Sequence, residues 1–117
     1  RHMSADRPTL STFNHFTFKE EAHMRLWVAY WERNAEAFFE ELAPLGCLRI
    51  SLNRVWNKEG LYKTSALFEY ESPEAFKACQ ERIEAWRATD AFQKEMGSLD
   101  AVIEATRNII IQDLRRD

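Results

Sequence analysis

Glycine and proline are scarce in this sequence, three of each, and cysteine is scarcer still, with two. So few chain breakers in 117 residues exclude a loop-rich or disordered protein, and two thiols exclude a disulfide scaffold. Cys47 and Cys79 each sit inside an apolar segment. They read as single buried thiols in a reducing compartment, with a disulfide left open. No apolar run approaches the roughly 20 residues of a membrane-spanning helix, and no signal-peptide core is recognisable. A cytoplasmic protein is the default expectation. Charge of one sign is missing too: 16 basic and 19 acidic residues interleave to a net −3. That excludes the concentrated basic footprint nucleic-acid binding needs. His/Cys clusters, a phosphate-binding loop, a glycine-rich nucleotide fingerprint and a Ser–His pair in recognisable context are all lacking. The expectation is therefore no metal, no tightly bound cofactor, no nucleic acid and no membrane.

Aromatic residues, by contrast, make up 13% of the chain. One domain is expected, long enough to bury a core without staples. Arg1, His2 and Met3 read as a cloning remnant and start, 4–11 as an N-terminal arm, 12–114 as the domain and 115–117 as a tail.

TFNHFTF, residues 12–18, is aromatic and threonine-rich and predicts a first strand. Glu20 and Glu21 open a helix whose apolar stripe runs Met24, Trp27, Val28, Trp31, Ala35, Phe38, Phe39, Leu42, in steps of three and four. Pro44 and Gly46 stop it. CLRISLNRVWN, 47–57, alternates Leu48, Ile50 and Leu52 with Arg49, Ser51 and Asn53, the period of a strand with unlike faces. Asn57, Lys58, Glu59 and Gly60 supply turn chemistry, and LYKTSALFEY, 61–70, returns as a third strand. Ser72 as cap, Pro73 at the first position and Glu74 start a second helix that buries Phe76, Cys79, Ile83 and Trp86. Thr89 and Asp90 interrupt it, with Asp90 capping a continuation through Phe92 and Met96 to Gly97. A further helical turn or two with Leu99, Val102 and Ile103 is expected before a final strand, TRNIIIQDL, 106–114. The order β-α-β-β-α-β predicts an α+β, ferredoxin-like domain: one four-stranded antiparallel sheet with helices on one face.

Two helices cover only one side of such a sheet. Neither strand row here is consistently polar: Phe13 shares its row with His15, while Phe16 and Phe18 occupy the other. A bare apolar face of several hundred Å² is one that monomers usually avoid. A homodimer packing sheet on sheet is the economical answer.

With that arrangement the chain resembles the dimeric α/β-barrel superfamily, which includes antibiotic-biosynthesis monooxygenase-like, NIPSNAP-like and Dabb domains. The local match is YESPEAFKACQERIEAWRATDAFQKEMGSL, 70–99, with NHFTFK, 14–19, similar to the first strand of Dabb domains. The resemblance implies a dimeric barrel with a ligand cleft in each copy, between the sheet and its own helices. It gives the polar row of the second strand a role: Arg49, Ser51 and Asn53 would share a cleft with His15, Thr17 and Ser65, roofed by Trp27, Trp31 and Trp86. Such a hollow suits an aromatic or otherwise hydrophobic small molecule.

In the catalytic version, His15 moves a proton while Arg49 and Asn53 hold a developing oxyanion, with Ser51, Ser65 and the three tryptophans binding substrate. Each residue has a plainer role. His15 would hold a strand acceptor, Arg49 would pair with Glu69 or Glu71, Asn53 would serve a turn, and the tryptophans would be core. Trp56 reads as a dimer contact. Haem-binding relatives place a histidine on the second helix, and cyclase-like Dabb members place one where Ala88, Thr89 and Asp90 stand. Both are missing, which argues against haem and Dabb-type cyclisation. Two functions follow: a cofactor-independent monooxygenase, isomerase or cyclase acting on an aromatic or polyketide-like molecule, or a non-catalytic NIPSNAP-like binding or interaction module.

Overall fold

The computed structural model describes residues 7–57 and 60–116. The remnant expected at 1–3, the first half of the arm, Lys58, Glu59 and Asp117 lie outside the described residues. The strands are β1 (Leu10–Phe18), β2 (Cys47–Arg54), β3 (Tyr62–Tyr70) and β4 (Ala101–Ile109), and the helices are α1 (Glu21–Leu42), α2 (Pro73–Arg87) and α3 (Asp90–Met96). They form one antiparallel sheet in the order β2-β3-β1-β4. This is the ferredoxin-like topology expected.

Local chemistry explains most boundaries. After a 3₁₀ turn at Ala43–Leu45, Gly46 takes a φ of 108°, a left-handed conformation that closes α1 and turns the chain into β2. Ser72 caps α2 by accepting from the Ala75 amide at 3.1 Å, with Pro73 at the first helical position.

Two expectations need correction. The hydroxyl that caps α3 belongs to Thr89, which accepts from the Phe92 amide, so Asp90 is the first helical residue rather than the cap. Val102 and Ile103 are not helical. They belong to β4, which starts at Ala101 and ends at Ile109, earlier than expected at both ends. The reason is register: from Ala101 onward every residue of β4 finds a partner on β1, and a completed ladder outweighs a weak helical pattern.

Parity then sorts the sheet. Leu10, Thr12, Asn14, Phe16 and Phe18 of β1 stand in one row with Tyr62, Thr64, Ala66, Phe68 and Tyr70 of β3. This row faces the helices, where Phe38, Leu42, Cys79 and Tyr70 form the main core. A second cluster, Tyr30, Phe92 and Met96, seats α3 on α1, and Trp31 and Trp86 touch both clusters. Tyr30 is 4% exposed. The stripe read from the sequence omits it, because its partner is α3 rather than the sheet.

Candidate functional site

The polar residues of β2 do stand together, as their alternation indicated. Arg49 faces Glu69, Asn53 faces Ser65, and Ser65 in turn faces His15, so Arg49, Ser51, Asn53, Ser65 and His15 share one row. That row lies on the side of the sheet away from the helices. Trp27, Trp31 and Trp86 lie on the helix side. The expected hollow, with the tryptophans roofing the polar row, is therefore divided by the sheet into two faces. A β-bulge between Cys47 and Arg49 contributes to this result. It lets Cys47 join the buried helix side and places Ile50 and Leu52 on that side as well.

On the bare face the polar groups largely satisfy one another. Arg49 pairs with Glu69 at 3.6 Å. The Ser51 hydroxyl donates to Asn53 Oδ1 at 2.9 Å, and the Asn53 amide donates to the Ser51 carbonyl at 3.3 Å. At one end the C-terminal segment lies against this face, where Arg115 approaches Glu69 and Asp113 pairs with Arg7. The Arg115 guanidinium beside Asp113 holds that carboxyl below the usual carboxylate range. Trp56 lies beyond the end of β2 and is fully in solvent.

The helix side holds something different, an open cleft of about 1400 Å³. Its walls are aromatic: Phe16, Trp27, Trp31, Phe38 and Phe68, with Ile50 and Ile103 between. The rings interlock, Phe16 lying 4.8 Å from Trp27 and Trp27 5.8 Å from Trp31, centroid to centroid. Polar and charged side chains line it as well, among them Glu32, Glu36, Arg54 and Arg87. Asn14 donates to the Thr12 hydroxyl at 3.3 Å and to the Ala66 carbonyl at 3.2 Å, which leaves its Oδ1 able to accept. Thr64 is 4% exposed, and its hydroxyl has no partner. Arg107 rests its guanidinium 5.0 Å from the centre of the Phe76 ring. Asn53 and Ser65 border this cleft as well, although the Asn53 side chain bonds to Ser51.

Sequence reasoning missed Asn14, Thr64 and Arg107 as candidates. A signal existed in parity: all three fall in register with the apolar row that contains Phe16 and Phe68. Attention had gone to the strand whose polar residues were most regular. His23, left without a role, accepts the Asp100 amide at Nδ1 and joins α1 to the start of β4. Among the described residues, no group of three or more His, Cys, Asp or Glu side chains is placed to hold a metal ion. Nor is any helix among them long and apolar enough to cross a membrane.

A single antiparallel sheet with helices on one face and a cleft beneath them defines a ferredoxin-like α+β protein. The model of a domain of unknown function, DUF6974, matches residues 7–110, and the chain belongs to that family. No curated protein matches it. Among solved structures it is similar to a dimeric ferredoxin-like protein from an uncultured marine organism, with 23% identity and a TM-score of 0.82, covering 92% of this chain and 100% of that one. A second dimeric ferredoxin-like protein from an uncultured marine organism gives 21% and 0.77, covering 92% and 99%. It is also similar to a Streptomyces coelicolor monooxygenase from the gene ActVA-Orf6, solved in complex with nanaomycin D, at 11% and 0.67 over 95% of both chains. Likenesses at these identities establish the fold. They bear on the monooxygenase-like side of the resemblance and not on its NIPSNAP-like or Dabb-like side.

Proposed function

We propose that this chain works as a homodimer in which each copy binds an aromatic or polyketide-like molecule between its sheet and its own helices. The proposed chemistry is a cofactor-independent monooxygenation. The observation that carries the reading is the cleft itself: the aromatic walls of Phe16, Trp27, Trp31, Phe38 and Phe68 beside Asn14, whose amide is fixed by the Thr12 hydroxyl and the Ala66 carbonyl. Asn14 Oδ1 offers an acceptor for a ligand hydroxyl. The Streptomyces coelicolor monooxygenase of similar fold was solved with a small molecule, nanaomycin D, which supports a small organic ligand here.

The proposed catalysis differs from a histidine mechanism. His15 stands on the other face of the sheet, so it does not reach this ligand. The cleft acts by excluding water and by holding the ligand against its aromatic walls, with a ligand hydroxyl donating to Asn14 Oδ1. An electron-rich phenol or anthrone then reacts with dioxygen itself; for an anthrone, a CH2 group and O2 become C=O and water. An isomerisation or cyclisation would use the same grip. The open cleft separates this reading from a non-catalytic interaction module, which would tolerate a cleft packed solid.

Dimerisation rests on the bare face, where Phe13 is 47% and Val102 61% exposed. Both stand in the row that faces away from the helices. A second sheet laid over them removes that apolar surface from water. Two of the similar structures are dimeric proteins, which supports the same assembly here.

The test is a titration with flat phenols and quinols, read by tryptophan fluorescence because Trp27 and Trp31 line the cleft. Quenching that saturates in wild type and weakens about tenfold in Asn14→Leu supports the reading. Oxygen uptake on adding a bound quinol or anthrone would then identify the chemistry. Absence of binding across the panel defeats it.

A further inference from the structure

The cleft is not equally walled on all sides. Strand β4 is at the edge of the sheet, and among the described residues no helix is packed closely along it. Its cleft-side row is Ala101, Ile103, Ala105 and Arg107, in register with Phe18, Phe16, Asn14 and Thr12 of β1. Ile103 is 51% exposed in spite of facing the helix side. Opposite this row, α2 presents Phe76, Gln80, Ile83 and Arg87, positions i, i+4, i+7 and i+11 on one helical face. All four line the cleft. Between α2 and β4 runs an open slot with an apolar middle and a guanidinium at each end.

The two arginines are not equivalent. Arg107 is held: its guanidinium sits on the Phe76 ring at 5.0 Å, a cation–π contact that limits its rotamers before any ligand arrives. It forms no ion pair among the described residues. Arg87 stands eleven residues along α2 from Phe76, about 16 Å away by helical rise. Arg87 thus marks the far end of the slot and Arg107 its near end.

We infer that the cleft takes an aromatic carboxylate whose carboxylate group is bound by Arg107 at the β4 mouth of the slot. This rests on the small-molecule reading given above and narrows the ligand class. The chemistry favours a carboxylate. A single planar fork pairs bidentately with one carboxylate, and the guanidinium is already stacked on an aromatic surface that continues into the cleft. A flat aromatic acid lies along Ile83, Ile103 and Ala105, its charged end on Arg107 and its rings against the Trp27 and Phe16 wall.

The test compares matched pairs of benzoic, 2-naphthoic and 2-anthroic acids with their primary amides, by tryptophan fluorescence and calorimetry at low salt. In wild type the acids bind at least tenfold more tightly than the amides. In Arg107→Gln that preference disappears while the melting midpoint stays as in wild type, which shows that the variant is folded. Arg107→Lys restores part of the preference. Acids and amides that bind equally well overturn the assignment and leave the small-molecule reading standing. So does a preference that survives Arg107→Gln, or one abolished instead by Arg87→Gln. If no acid binds while phenols or quinols do, the carboxylate assignment falls and the small-molecule reading stands.

Discussion

Trp86 donates its indole N–H to the Tyr30 hydroxyl at 2.8 Å, tying α2 to α1. Tyr30 also meets Trp31 and Phe92 edge-on, at centroid distances of 4.9 and 5.4 Å. One side chain thus fixes how all three helices are set over the cleft, and with them the width of its roof. Replacing Tyr30 with Phe keeps the rings and leaves the indole N–H without its acceptor. Stability falls by about 1–3 kcal/mol, measured by urea unfolding. Ligand affinity falls too, because Trp86 and Trp31 belong to the same packed cluster.

Gly46 is the second structural pivot. A Cβ at its φ of 108° would meet the Cβ of Ala75 in α2, a clash with no flexible end to yield. Gly46→Ala therefore combines a left-handed backbone penalty with overpacking, together about 2–4 kcal/mol. Loss of the melting transition at moderate temperature is the expected result. An unchanged midpoint would show that the turn into β2 rearranges freely.

Burial pushes the Cys47 thiol up to about 12, against an ordinary value of 9.0, and the Tyr70 hydroxyl is raised for the same reason. The folded chain holds the Cys47 proton where the unfolded chain releases it. This contribution to stability is complete below about pH 9 and is lost as pH rises towards 12. Urea midpoints should fall across that alkaline window, and less so in Cys47→Ala when each variant is compared with its own value at pH 8. The native thiol should also resist alkylation at pH 8, since the thiolate is the reactive form.

Phe13 separates assembly from binding. Phe13→Lys puts a charge on the face away from the helices, where two sheets would meet. Sedimentation at micromolar concentration should then show a monomer where the parent is a dimer. Cleft ligands should still bind, because Phe13 points away from the row that lines the cleft. A variant that remains dimeric would place the interface elsewhere.

The strand termini show how far pattern reading reaches. β2 and β3 were legible because alternation and the turn residues around Gly60 agree. α2 was legible because Ser72, Pro73 and Glu74 each favour the same start. β4 was misplaced because Leu99, Val102 and Ile103 fit a helical spacing locally, and only the β1 ladder selects the strand. The candidate site suffered more. Arg49, Ser51, Asn53, Ser65 and His15 were correctly grouped, yet the tryptophans meant to roof them belong to the opposite side of the sheet. Of the three tryptophans named as lining a cleft, Trp27 and Trp31 do so, while Trp86 packs into the core behind them; Asn14, Thr64 and Arg107 are polar lining residues that the sequence reading did not name.

The order of residues alone settled the β-α-β-β-α-β sequence, the single antiparallel sheet and the rows of β1, β3 and the Arg49–Asn53 stretch of β2, because strand geometry turns alternate side chains to opposite sides. Which row the helices cover was decided only in three dimensions. It depends on the side to which α1 and α2 cross over, and on one extra residue at the Cys47–Arg49 bulge. Neither leaves a periodic trace in the chain, and that choice of side separates a polar surface from a ligand cleft.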